Sequence, residues 1–126
     1  MVKHDIQNIE DVTLMVNTFY QRIQLNNILG PIFQERISDK WPEHLEKMIR
    51  FWQTILLEEH TYNGAPFPPH ARMPIDESHF IIWVKIFTTT VDDLYAGPVA
   101  DEAKKRGSLM AAIFNSKLEF FKKHEL

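Results

Sequence analysis

Apolar positions recur every three to four residues over four stretches of the chain. They predict amphipathic helices, and no stretch shows the period-two alternation of a half-buried strand. Residues 8–25 put Val12, Met15, Val16, Phe19 and Ile23 on one face, with Tyr20 as its polar-tipped member, and Asp11 is the candidate cap. Asn26-Asn27 loosen this helix, Gly30-Pro31 breaks it, and Ile32-Phe33 then precede a polar link over residues 34–40. Ser38 or Asp39 can cap a second helix that opens on Trp41-Pro42-Glu43, since proline is tolerated in a first turn. Its apolar set is Trp41, Leu45, Met48, Phe51 or Trp52, Ile55 and Leu56, with His44 on the same side. A third helix runs from an Asp76 cap to about Leu94, with Phe80, Trp83, Val84, Phe87 and Val91 on one face and His79 near its start. Gly97-Pro98 ends that segment. A fourth helix is predicted from about Val99 to Lys122, with Ala103, Met110, Ile113, Phe114, Leu118 and Phe121 as core candidates. Its early acids, Asp101 and Glu102, and late Lys122 and Lys123 suit the helix dipole. The expected fold class is all-α.

The second and third helices are separated by a stretch that breaks the pattern. Prolines at 66, 68, 69 and 74, four of the chain's seven, fix φ and remove backbone donors, so no continuous helix forms there. This stiff connector carries His70 directly after Pro68-Pro69. One reading is a proline-rich surface loop with an incidental histidine. The other is an imidazole aimed in advance at a metal. His44 is open in the same way: a satisfied core histidine, or one that points into a cavity lined by its helix face.

Composition narrows the choice. A chain of 126 residues is expected to form a single domain over 1–126. Its 44% hydrophobic and 25% charged residues are ordinary for a soluble globule, and its net charge of −3 points away from nucleic acid. Absence of cysteine excludes disulfides, iron–sulfur clusters, thiolate zinc sites and c-type haem linkages. No apolar run reaches the ~20 residues of a membrane span, and the start MVKHDIQNIED is too polar for a signal peptide, so a cytoplasmic location is expected. Aromatic residues make up 12%, enough either to fill a core or to line a flat pocket.

Taken in order, several pieces resemble one family: Phe19-Tyr20; Leu29-Gly30-Pro31-Ile32-Phe33; Trp41-x-x-His44 and Phe51-Trp52; Tyr62-Asn63-Gly64; Pro69-His70; and His79-Phe80-x-x-Trp83 with Phe87. Over roughly residues 8–121 the chain resembles the truncated haemoglobins, most closely group III. It lacks the Gly-Gly pairs usual at two bends of the other groups. The resemblance implies a two-over-two helical sandwich around a haem b (iron protoporphyrin IX). It implies His70 as proximal iron ligand, Tyr20, His44 and Trp83 on the distal side, and Phe33, Met48, Phe51 and Trp52 near the porphyrin.

This chemistry suits the residues. A proximal histidine needs a neutral imidazole whose other nitrogen is held by an acceptor. Bound O₂ carries partial negative charge, which the Tyr O–H and Trp N–H donors stabilise, while neutral His donates or accepts. Such a pocket suits tight retention or activation of O₂, and of NO or CO. Propionate partners are sought among Arg72, Arg50, Lys47 and Tyr62; Arg72, beside His70, is favoured, and the other three are read as solvated side chains. The alternative within the same site is an enzyme for NO dioxygenation or peroxide reduction. With no reductase domain in these 126 residues, turnover would draw on an external reductase. A third class, a haem-free helical interaction module, leaves the histidines structural. A monomer is expected.

Overall fold

The computed structural model describes residues 3–59 and 75–124, with side chains through residue 120. Five helices and no strand are present among the described residues: α1 (Ile9–Leu25), α2 (Leu29–Ile37), α3 (Trp41–Leu56), α4 (Glu77–Leu94) and α5 (Pro98–His124). The expected all-α class is the observed one. α1 packs against α3, α4 packs against α5, and α1 lies across α4 to join the pairs, which gives the two-over-two sandwich.

Local chemistry sets most boundaries, though not always through the expected residue. Asn8, not Asp11, caps α1: its side chain accepts from Asp11 N at 3.0 Å, and Asp11 falls in the first turn. The Gly30-Pro31 break is misplaced as well. The chain turns three residues earlier, where the Asn26 side chain accepts from Ile28 N and Leu29 N at 2.9 and 2.8 Å. Gly30 and Pro31 then sit in the first turn of α2, where the amide that proline lacks has no intrahelical partner to lose. The polar link is therefore mostly helix. A Cβ on Gly30 would lie 2.5 Å from the Gln24 carbonyl oxygen, so glycine lets α2 start this close to α1. Neither Ser38 nor Asp39 caps α3. Ser38 takes φ 55° and closes α2 by donating its N–H to Gln34 O at 2.8 Å.

α4 begins as expected at Asp76, whose carboxylate accepts from Ser78 N at 2.9 Å while His79 Nδ1 accepts from Asp76 N at 3.0 Å, a reciprocal capping box. Hydrogen bonding from Ser78, against a smaller opposing effect of burial, holds the Asp76 carboxyl down to about 2. α5 starts on Pro98, and its first amides, which lack intrahelical partners, are met from outside the helix. Asp5 accepts from Val99 N at 3.0 Å and Ala100 N at 2.8 Å. Burial pushes the Asp5 carboxyl up, but these donors and Ile6 N outweigh it and hold it below its ordinary value. Tyr95, just past α4, donates its hydroxyl to Asp11 O at 2.9 Å, so the start of α1 and the α4–α5 corner are fastened together.

The core centres on aromatic rings from three helices. Phe87 is stacked between Trp52, 5.0 Å away and inclined 17°, and Trp83, 5.4 Å away and inclined 13°. Phe19 meets Phe87 edge-on at 5.3 Å. Val12, Met15, Val16, Phe19, Tyr20 and Ile23 are all buried, as their period requires. Phe51 and Trp52 are both buried rather than one of the two. On α5, Ala103 and Leu118 are buried and Met110 and Phe114 are packed against the core, but Ile113 is 43% exposed. Ile113 sits one notch off the 110–114–118 stripe, and this corrects its assignment to the core. Phe121 lies outside the described side chains.

Gly107 brings α5 onto this aromatic stack. A Cβ there would come 2.7 Å from two ring carbons of Phe87, a side chain 1% exposed and stacked with two indoles. Overpacking a core costs ~1–3 kcal/mol, against ~1 kcal/mol gained from alanine's helix propensity. Gly107→Ala is therefore expected to destabilise the protein by up to about 2 kcal/mol. Urea unfolding checks this, and a midpoint raised by the substitution would show that α5 stands further from Phe87 than this packing implies.

Candidate functional site

A narrow cleft lies between the layers, with a cavity volume of about 40 Å³. Each helix delivers part of the wall: Tyr20 from α1, Phe33 from α2, Met48 and Trp52 from α3, Trp83 from α4, and Met110 from α5. Helical spacing explains the delivery. Met48 and Trp52 are four residues apart on one face of α3, and Met110 and Phe114 repeat that step on α5.

Of the residues singled out by sequence, Tyr20, Phe33, Met48, Trp52 and Trp83 are brought to this one cleft. His44 is not among its lining residues. It stands behind Tyr20, ring centroids 5.0 Å apart and edge-on at 85°, with its Nε2 buried. Phe51 meets Trp52 edge-on at 5.4 Å and belongs to the packing behind the wall. Arg50 is paired with Glu46 at 2.7 Å on the exposed side of α3, and neither it nor Lys47 lines the cleft. His70, Arg72 and Tyr62 lie outside the described residues.

Other residues of the wall were read from the sequence as core or left aside: Leu29, Ile75, Phe80, Met110, Ala111 and Phe114. Periodicity marks a residue as inward-facing but does not separate packed core from a wall facing open space. His79 also lines the cleft. Its Nδ1 lies 3.0 Å from both the Asp76 amide nitrogen and the Asp76 carboxylate oxygen, which ties the ring to the start of α4. Among the described residues no group of three or more His, Asp or Glu side chains is arranged to hold a metal ion.

The cleft is apolar with a few polar points. Tyr20 is 6% exposed, surrounded edge-on by Phe19 at 4.9 Å, His44 at 5.0 Å and Trp41 at 5.9 Å. Burial pushes its hydroxyl far above the ordinary phenol value, so it remains a neutral O–H donor. A flat apolar group with one polar centre fits this lining: aromatic and methionine walls for its faces, and a buried Tyr hydroxyl, an indole and an imidazole as the polar contacts. Among the described residues no helix is long and apolar enough to cross a membrane.

The chain is 30% identical, over 121 residues, to a curated group 3 truncated haemoglobin of Campylobacter jejuni, covering 93% of this chain and 95% of that one. The crystal structure of a group III truncated haemoglobin from Campylobacter jejuni superposes with a TM-score of 0.83 at 31% identity, again over 93% of this chain and 95% of the other. No protein-family model matches the chain.

Burial of Tyr20 has a consequence for pH. Its folded-state pKa is raised, so the stability contributed by the neutral phenol is complete below the unfolded value of ~10. It is lost as pH rises past that value towards the folded one. In an alkaline absorbance titration, Tyr20 is expected to yield its phenolate only as the chain unfolds, and Tyr20→Phe to remove one phenolate from that step. Loss of a phenolate from a step in the still-folded protein would show that the hydroxyl is open to water.

Proposed function

The chain belongs to the group III truncated haemoglobins, and on that premise we propose that it holds one haem b in the interlayer cleft and retains O₂, with NO and CO as further ligands, through hydrogen bonds from Tyr20 and Trp83. The observation that carries this reading is the convergence of Tyr20 and Trp83, from different helices, on the wall of one largely apolar cleft.

When bound, the haem supplies the iron that takes the diatomic ligand. The chain supplies the surroundings. Phe33, Met48, Trp52 and Phe114 offer the apolar walls that receive the macrocycle's faces and exclude water. Tyr20 holds its proton on the phenol oxygen, and Trp83 carries a permanent indole N–H. Both are donors to a partly negative ligand. In a dry, low-dielectric pocket such hydrogen bonds are stronger than in water, which favours retention.

His70 is our proposed iron ligand. It follows Pro68-Pro69 in the sequence at the place the family resemblance assigns to the proximal histidine. The rival, His79, lines the cleft and is engaged through Nδ1 in the α4 cap, and substitution of each histidine tells the two apart. Arg72 is proposed beside it as a propionate partner. His44 is proposed as a gate rather than a ligand to iron, because the Tyr20 ring, not His44, faces the cleft.

Absorption spectroscopy tests these assignments together. His70→Ala is expected to abolish or displace the Soret band, and His79→Ala to leave it largely intact; the reverse would end the assignment. The ferrous protein without added ligand is expected to be five-coordinate, and a six-coordinate low-spin spectrum that disappears in His44→Ala would place His44 on the iron.

Donor strength sets the second expectation. A hydrogen bond to a charged or strongly polar acceptor is worth ~1.5–3 kcal/mol. Tyr20→Phe should therefore speed O₂ release roughly ten- to a hundredfold. Stopped-flow release should be followed in Trp83→Phe and in the double variant as well, because one donor can compensate for the other. Unchanged rates in all three would remove both residues from ligand retention.

A further inference from the structure

The α2–α3 corner carries a contact that the reading of the cleft does not use. The Trp41 indole N–H donates to the Gln34 side-chain oxygen at 2.9 Å. The bond spans the tight turn in which Ser38 takes φ 55° and Lys40 N donates to Ile37 O at 3.0 Å. Indole nitrogen is a donor only, so the direction of this bond is fixed and Gln34 must present its oxygen. Trp41 occupies the first position of α3, and the bond leans its ring back towards α2.

The leaning ring completes a triangle. Trp41 meets His44 edge-on, centroids 6.0 Å apart at 89°, and meets Tyr20 at 5.9 Å and 66°. His44 in turn meets Tyr20 at 5.0 Å and 85°. Tyr20 is buried, whereas Trp41 and His44 are half-buried and the Gln34–Trp41 bond is exposed, so these two rings form the outer side of the triangle. Outward movement of His44 must displace it from the Trp41 edge as well as from Tyr20.

We propose that Gln34 and Trp41 are positioning residues that latch His44 against Tyr20 and thereby set the rate at which a small ligand enters from the α2–α3 corner. This rests on the haem-and-ligand reading of the cleft. The Gln34–Trp41 bond is exposed while the Trp41 ring packs against the core, so removing the bond through Gln34 frees the corner without unfolding the sandwich. Entry and global stability therefore separate.

The test uses the haem-loaded protein. Gln34→Ala removes the acceptor, Trp41→Phe keeps a ring and removes the donor, and Gln34→Glu keeps an acceptor oxygen. Two quantities are read: CO recombination after photolysis, and hydrogen exchange of the Trp41 indole N–H by NMR in the diamagnetic CO form. Gln34→Ala is expected to speed both by roughly two- to tenfold, the range one neutral hydrogen bond controls. Trp41→Phe is expected to speed entry as much, the double variant no further, and Gln34→Glu to restore the slow values. Thermal unfolding of the Gln34 single variants should stay at the wild-type temperature. A Soret band with unchanged CO entry in Gln34→Ala overturns the latch and leaves the cleft reading intact. Faster indole exchange with unchanged entry also overturns it, because the bond would then form without governing His44. Absence of any Soret band in the wild-type protein overturns the cleft reading, and the latch with it.

Discussion

The sandwich depends on Phe87 being held between two indoles. Trp52 comes from α3, Trp83 from Phe87's own helix, and Phe19 approaches edge-on from α1. Fully burying a phenylalanine is worth ~1.5–3 kcal/mol, and each aromatic pair adds ~0.5–1.5 kcal/mol. One side chain thus ties three helices at their crossing, and α5 closes on it only because Gly107 has no Cβ. Two of these rings have a second duty, since Trp52 and Trp83 also form part of the cleft wall. Stacking on Phe87 limits how either indole can turn, so the core orients the site.

Around that crossing, polar groups act at the corners. Asp5 receives the first amides of α5, Tyr95 reaches back to Asp11, and the Asp76–His79 pair opens α4. Helix ends leave amides and carbonyls without intrahelical partners, and each of these contacts meets some of that need. The residues that do so at α5 are distant in sequence: Asp5 lies more than ninety positions from the amides it caps. A corner of this kind makes the N-terminal arm part of the layer that carries Met110 and Phe114 to the cleft.

The polar side of the cleft follows from burial rather than from charge. Among the described residues no ion pair sits beside Tyr20; its neighbours there are rings, and burial keeps its hydroxyl neutral. A neutral donor in such surroundings is directional and is lost to water only if the surrounding rings move apart. Trp41 and His44 make up the outer part of that surround.

The sequence by itself determined the helical class, four of the five helices, and the inward faces of α1, α3 and α4, because a 3.6-residue period registers directly which side of a helix is buried. Together with the family resemblance it also singled out Tyr20, Phe33, Met48, Trp52 and Trp83, which meet at one cleft. It missed α2 because Gly30-Pro31 reads as a break, and only the approach to Gln24 and the Asn26 cap show that this pair begins a helix. It placed caps at Asp11 and at Ser38 or Asp39 because several polar residues stood near each start, and spacing cannot say which side chain reaches the amide. Tertiary structure alone decided that Ile113 faces outward, that Met110 and Phe114 wall a cleft, and that His44 stands behind Tyr20 rather than in front of it. The physical reason is the same in each case. Period and propensity report the faces of one helix at a time, whereas a cavity, a second-layer ring or a cap from a distant segment exists only once separate helices have been brought to a fixed distance.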